Sequence, residues 1–422
     1  MKKFFIKSMG CKSNQFEGQI VAEKLIEAGY EEVNDIKKLG DDDFYILNSC
    51  SVTHKSDNEA MYLLRHAHSL GLKTILTGCI AQIEKSKLLK EDFIDYVFGN
   101  EDKFRLAEYL DKDQNYSVKD LMGVNVENEF CHVILNDTSK TRISLKIQDG
   151  CDNRCSYCVI PYGRGKSRSA NPDFIVQEIN RYADKGYKEV VLTGIHIGLY
   201  EGGLLSLLQK IEKETKIHRY RLGSLNPHEI TNELLDFLQI SEKFCPHFHL
   251  SLQSACNSTL KRMNRHYTVE YYLDQIEDIV SRFKLPFLGS DIIAGFAGET
   301  EEDFEITIEN LLKSKLSKIH VFPYSVRKGT IAERMSGHLP DSIKEERAEI
   351  IKKISQDKFK DFVHQNIGTT QEVLIEKRLD KKTGLYKGVT RNYLNVLLPL
   401  GEFNSLQNVT LTKENFCDSI NL

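Results

Sequence analysis

Cys151, Cys155 and Cys158 stand in Gln148-Asp-Gly-Cys-Asp-Asn-Arg-Cys-Ser-Tyr-Cys-Val159, a CxxxCxxC spacing within one short loop. Three thiolates so placed can bind three irons of a cubane 4Fe-4S cluster and leave the fourth iron open to a small molecule. Closed iron–sulfur sites use four cysteines, and structural zinc sites use four ligands. A missing fourth ligand therefore has chemical meaning. The alternative is a zinc loop completed by a distant ligand such as His132. Ten cysteines in 422 residues do not call for disulfides, because a chain this long builds its core without them.

Elements must place these thiols. Over residues 1–100, short strand candidates at Phe4–Ser8, Phe44–Asn48, Thr74–Thr77 and Tyr96–Phe98 alternate with helical spacing at Gln15–Ala28 and Asp57–Ser69. Such alternation predicts an α/β domain with a parallel, doubly wound sheet, taken here as residues 1–135 with 101–141 as a polar connection. Cys11, Cys50 and Cys79 each follow a strand end. The carboxyl ends of strands in such a sheet open onto one crevice, so the three thiols should converge as a second three-cysteine site. Gly10 and Gly78 beside two of them allow close backbone approach. Three unrelated buried cysteines are the alternative.

From Arg142 the alternation restarts and runs six times. The strands expected are Ser144–Gln148, Glu189–Thr193, Tyr220–Gly223, His247–Leu252, Leu288–Ile293 and Lys318–Phe322. The helices between them are Pro172–Lys185, Leu204–Thr215, Asn232–Ile240, Val269–Phe283 and Glu301–Lys315. This predicts an incomplete (β/α)6 barrel over 136–365, with its site at the carboxyl ends of the strands. A charged helix at Ile343–Gln365 leads to Glu372–Lys377, Tyr386–Val389, Asn395–Leu398 and Val409–Thr412. These read as a small antiparallel β module over 366–422.

The formal net charge of −4 neither favours nor excludes a nucleic-acid partner, so the placement of basic residues decides. Arg164, Lys166 and Arg168 lie just past the cysteine loop, Lys261-Arg-Met-Asn-Arg265 follows strand four, and Arg327 and Lys328 follow strand six. All could ring the mouth and grip phosphates. In the tail, Lys377, Arg378, Lys381, Lys382, Lys387 and Arg391 interleave with Tyr386 and Tyr393, which suits RNA; solvated surface charge is the plain alternative. Polar strand ends at Thr193-Gly194, Ser251 and Gln253, and Asp291 could hold a cofactor or form ordinary turns. His196 reads as a structural histidine or an acid–base group. Cys131, Cys245, Cys256 and Cys417 read as ordinary free thiols. No apolar run approaches the roughly 20 residues that span a bilayer. The opening Met-Lys-Lys-Phe-Phe-Ile-Lys reads as a strand rather than a signal peptide, which points to the cytoplasm.

The cysteine loop, with Tyr157 before its last Cys, resembles the radical S-adenosylmethionine (SAM) superfamily. Together with three cysteines in the first domain and a basic β tail, the whole chain resembles the radical SAM methylthiotransferases. Asn48-Ser-Cys-Ser-Val-Thr53, Leu192-Thr-Gly-Ile-His196, Lys261-Arg-Met-Asn-Arg265 and Val321-Phe-Pro-Tyr-Ser325 are most similar to the branch acting on threonylcarbamoyl-adenosine. Ser49, Ala297 and Gly223-Ser-Leu-Asn226 depart from that pattern without touching a cysteine. The resemblance implies an auxiliary 4Fe-4S cluster at Cys11, Cys50 and Cys79, and a SAM-cleaving cluster at Cys151, Cys155 and Cys158. It implies SAM contacts from Tyr157, Thr193, Gly194, Ser251, Gln253 and Asp291, and a tail corresponding to the family's RNA-binding TRAM module. The implied reaction is methylthiolation of carbon 2 of the adenosine at tRNA position 37, with a methyl group from one SAM and a deoxyadenosyl radical from a second. An electron donor and a sulfur source are implied partners. Isopentenyl-adenosine tRNA, a ribosomal-protein aspartate, and a non-catalytic iron–sulfur or zinc RNA-binding protein are the other readings.

Overall fold

The computed structural model describes residues 2–51, 54–88, 90–110, 130, 135 and 140–416. Cys131, His132 and Cys417 lie outside the described residues.

The first domain is a parallel sheet built from β1 (Lys3–Ser8), β2 (Glu31–Glu32), β3 (Phe44–Ser49), β4 (Lys73–Gly78) and β5 (Tyr96–Val97), in the order β2-β1-β3-β4-β5. β3, buried along its whole length, forms the centre. The order reverses at β1, so a crevice opens where β1 and β3 end. The expected strands are all present; the two-residue β2 is an addition, too short and too acidic to carry a strand pattern. The predicted connection is partly helical, with Leu106–Leu110 forming a short helix.

In the second domain β6 (Ile143–Lys146) is followed by a short hairpin of β7 (Gln148–Asp149) and β8 (Arg168–Ser169), which brackets the cysteine loop. β9 (Glu189–Thr193) and β10 (Arg219–Leu222) complete the sheet β10-β9-β6. β11 (Ser224–Leu225), β12 (His247–Leu250), β13 (Phe287–Ala294) and β14 (Lys318–Pro323) form the second arc. Only Gly223 separates β10 from β11, and a parallel bridge between Tyr220 and Phe244 ties the two arcs into one open barrel of six βα units. The helices start where their side chains cap them: Thr231, Thr268 and Thr300 each accept a bond from a backbone N–H of the first turn.

One apolar core runs through both domains. Phe16, Ile20 and Val21 of the helix Lys12–Glu27 join Ile143 and Leu145 of β6 in a single buried cluster, so that helix covers the open side of the barrel. The helix Asp341–Asn366 leads to an antiparallel sheet of β15 (Thr370–Leu379), β16 (Tyr386–Thr390), β17 (Asn395–Leu398) and β18 (Leu406–Thr410), ordered β17-β16-β15-β18. Its Val373, Ile375 and Val396 pack with Phe287 and Phe362. Among the described residues, no helix is long and apolar enough to cross a membrane.

Candidate radical SAM centre

The cysteine loop leaves β7 at the carboxyl end of the barrel. Gln148 fixes its start: Nε2 donates to the Gly150 carbonyl at 2.8 Å, and Oε1 accepts from the His196 backbone N–H at 2.7 Å. Gly150 is obligatory here, with φ +72° and an added Cβ only 1.9 Å from the Lys166 carbonyl oxygen. The loop's thiols have polar partners. His196 Nδ1 lies 3.5 Å from Cys151 Sγ, and Arg265 Nη1 donates to Cys155 Sγ at 3.3 Å.

These two contacts are joined behind the loop. His196 Nε2 meets Glu229, Asn226 Nδ2 donates to Glu229 Oε1, and Arg265 Nη2 donates to Asn226 Oδ1. Burial works against the imidazolium, but the bonds to Cys151 and Glu229 prevail and raise the His196 pKa to about 9. Arg265 was expected on phosphates; it is instead turned inward and also bonds the Ser251 carbonyl at 3.0 Å. The sequence marks Asn226 only as a departure from the family pattern and does not mark Glu229, because a turn after β11 carries no spacing signal. Burial, with Cys155 and Cys151 close by, pushes the Cys158 thiol up to about 12 against a backbone hydrogen bond.

A cavity of about 190 Å³ adjoins Cys158. Tyr157, Gln253 and Asp291 line it. Tyr157 packs edge-on against Phe296, with ring centroids 6.2 Å apart. Two further lining groups, Tyr324 Oη and Arg327 Nε, are buried with no hydrogen-bond partner among the described residues. Such orphans suit a polar ligand. Thr193, Gly194 and Ser251 lie at the ends of β9 and β12 and do not line this cavity. Gly194 is pressed on Gln148, where a Cβ would stand 2.8 Å from the backbone carbonyl oxygen.

The second trio stands at neighbouring strand ends. Cys11 follows β1 and is exposed to the crevice, while Cys50 and Cys79 follow β3 and β4 and are buried. A Cβ on Gly10 would stand 2.5 Å from Cys50 Sγ. Although part of Cys11 is open to solvent, the protein crowded around it raises its pKa; Arg164 pulls it down and Cys79 pushes it up, so these three side chains share one neighbourhood. Among the described residues, no three His, Cys, Asp or Glu side chains gather closely enough for one metal ion. A mononuclear zinc needs its sulfurs about 2.3 Å from a common point. A cubane distributes its ligands over separate irons, so three thiols need not converge on one point to hold it.

Three arginines expected at the RNA are interior. Arg164 is 2% exposed and bonds Glu17 of the first domain at 2.7 Å through Nη1, beside Asp149. Lys146 and Lys103 bind the same Glu17 at 2.8 and 2.6 Å. Arg168 pairs with Asp149 at 3.3 Å. Arg327 pairs with Asp57 and donates to Ser51 Oγ at 2.7 Å. A buried guanidinium needs a partner; Arg164 and Arg327 find theirs in the first domain, and Arg168 finds Asp149 of its own domain. In the tail, Arg391 donates to the Phe244 carbonyl at 3.1 Å, and Tyr393 packs on His247, so both face the barrel. Lys166, Lys328, Lys377 and Arg378 remain exposed. Cys245 and Cys256 are buried free thiols, as expected.

Two family models match the chain: the radical SAM superfamily over residues 145–311, and the Uncharacterized protein family UPF0004 over residues 3–99. The threonylcarbamoyladenosine tRNA methylthiotransferase MtaB of Bacillus subtilis is 33% identical, over 92% of this chain and 89% of that protein. Its counterpart from Aquifex aeolicus is 36% identical, over 93% and 96%. The chain belongs to the radical SAM methylthiotransferase family. The tRNA-2-methylthio-N(6)-dimethylallyladenosine synthase of Thermodesulfovibrio yellowstonii, 34% identical over 92% and 90%, is a relative from another branch. The radical SAM methyltransferase TsrM of Kitasatospora setae shares the fold, with a TM-score of 0.52 at 12% identity over 76% and 75% of the chains. As an enzyme of this family the protein works with SAM and a 4Fe-4S cluster. The non-catalytic reading is thereby set aside.

Proposed function

We propose that this protein adds a methylthio group to carbon 2 of N6-threonylcarbamoyladenosine at tRNA position 37. Four relatives bearing that activity in their names, 33–36% identical over most of this chain, support the branch. The observation that carries the chemistry is the pair of cysteine trios at the carboxyl ends of two adjoining sheets. Cys151, Cys155 and Cys158 would hold the SAM-cleaving cluster, and Cys11, Cys50 and Cys79 an auxiliary one. When bound, these groups supply the radical that activates carbon 2 and the sulfur that joins it.

The chain's own residues do the positioning. His196 and Arg265 orient two thiolates and offset their charge. Tyr157, Gln253 and Asp291 shape the cavity for SAM, with Thr193, Gly194 and Ser251 framing the neighbouring strand ends. The exposed Lys166, Lys328, Lys377 and Arg378 would meet the tRNA. An electron donor and a sulfur source are required, and a tRNA substrate favours a cytoplasmic reaction.

The test is anaerobic turnover of reconstituted protein with SAM and dithionite on tRNA bearing threonylcarbamoyl-adenosine, read by nucleoside mass spectrometry. A methylthio gain that disappears in Cys11→Ala and in Cys155→Ala is expected. Deoxyadenosine formation without tRNA modification would overturn the substrate assignment.

A further inference from the structure

A second cavity of about 280 Å³ lies where the first domain, the barrel and the tail meet. Its lining includes Lys12, Lys140, Arg142 and Arg378, against one carboxylate, Glu376, and the ring of Tyr393. Lys12 directly follows Cys11, and Ser144 and Val191 of the lining sit two residues before Lys146 and Thr193 on β6 and β9. The lining thus runs from the layer beneath the strand ends that carry the candidate centre down to Lys140, Thr141 and Arg142 at the amino end of β6.

Its cations outnumber the carboxylates beside them. Arg142 faces Glu376 at 3.8 Å and Glu189 at 3.9 Å, and Glu189 is shared with Arg219 and Arg221 at 2.8 and 3.2 Å. Lys12 makes no ion pair among the described residues; its ammonium lies over the Tyr393 ring, 5.7 Å from the centroid. Burial raises the pKa of that phenol, yet Lys12, Arg142 and Arg221 together bring it below the ordinary value. Clustered cations that destabilise one another are stabilised by an incoming anion.

We infer that Lys12, backed by Arg142 and Arg378, accepts the carboxylate of the threonyl group on the substrate base and thereby selects threonylcarbamoyl- over dimethylallyl-adenosine. The inference rests on the substrate reading above. A threonylcarbamoyl substituent ends in a free carboxylate, whereas a dimethylallyl group is a hydrocarbon that such a cavity would reject. An RNA phosphate is the other anion with this chemistry, and the experiment separates the two.

The test uses the anaerobic holoenzyme and three anticodon stem-loops: one with threonylcarbamoyl-adenosine, one with its carboxylate converted to the amide, and one with plain adenosine. Affinities are read by fluorescence anisotropy. The wild type should bind the acid roughly ten- to a hundredfold more tightly than the amide, the usual range for a bond to a charged group. Lys12→Gln should bring the acid to the amide's level and leave the amide unchanged, while Lys12→Arg restores discrimination. Arg378→Gln, on a separate element, should reduce the same ratio. Equal binding of acid and amide by the wild type overturns the inference, as does a Lys12→Gln that weakens both alike, the mark of a phosphate contact. Parallel turnover of the acid stem-loop by the wild type separates the two claims. If product forms, only the role of Lys12 falls; if none forms, the substrate reading falls as well.

Discussion

Arg265 Nη1 donates to Cys155 Sγ across 3.3 Å, although 110 residues separate them in sequence. The same guanidinium reaches Asn226, and through Glu229 the His196 that sits on Cys151. Two of the three loop thiols are thus held from one side by a single hydrogen-bonded chain.

A cationic donor on a cluster sulfur favours the reduced, more negative state. Arg265→Met should therefore lower the midpoint potential of the SAM-cleaving cluster by on the order of 60 mV, a decade in a one-electron equilibrium. Deoxyadenosine formation should slow in step. A redox titration followed by electron paramagnetic resonance checks this, with iron content as the control for cluster loading. An unchanged potential would remove Arg265 from this role.

Gly10 has φ +81°, and an added Cβ would stand 2.5 Å from Cys50 Sγ. Gly10→Ala must displace Cys50 or the turn. About half the iron should be lost while SAM cleavage persists, and the methylthiolated product should vanish. Iron analysis beside product mass spectrometry reads both. Full iron retention would mean the second trio tolerates the shift.

Glu189 is fully buried among Arg221, Arg219 and Arg142, which bring its pKa down to about 2 despite the opposing effect of burial. Its folded-state pKa lies below the unfolded value near 4.5. The stability it contributes is complete above the unfolded value and lost as pH falls toward 2. Arg219 and Arg221 also donate to Val389 and Arg391 carbonyls at 3.0 and 2.9 Å, so this carboxylate secures the tail module. Glu189→Gln should cost about 3 kcal/mol at neutral pH and flatten the loss of stability between pH 4.5 and 2. Urea unfolding across that range tests both. An acid limb as steep as the wild type's would contradict it.

Lys166, Lys328 and Lys377 are exposed, unlike the interior arginines. Replacing each by Gln should weaken tRNA binding and reduce the slope of log affinity against log salt by about 1. Binding isotherms at several salt concentrations decide the matter. An unaltered slope for all three would place the RNA on a different face.

Most elements were legible in the sequence. Glu189–Thr193, Asn232–Ile240 and Asn395–Leu398 were anticipated to the residue, because apolar periodicity and Thr or Gly punctuation are local signals. β2, β7, β8 and β11 were not, since two residues form no period. The cysteine spacing was equally local, and strand ends in a parallel sheet leave few alternatives for where Cys11, Cys50 and Cys79 point.

Charge was the part that one dimension could not resolve. Arg164, Arg168, Arg265 and Arg327 follow barrel strands just as Lys166 and Lys328 do, and composition gives all of them to the RNA. Arg164 meets Glu17 across 147 residues, in a contact that exists only once the first domain lies on the barrel. The two cysteine trios, the alternation that carries them and the family are written in residue types and their spacing. Which cations are paired inside the protein and which stay exposed follows from packing alone. A charge in low dielectric is fixed by its nearest opposite charge, and that neighbour is set by packing rather than by sequence distance.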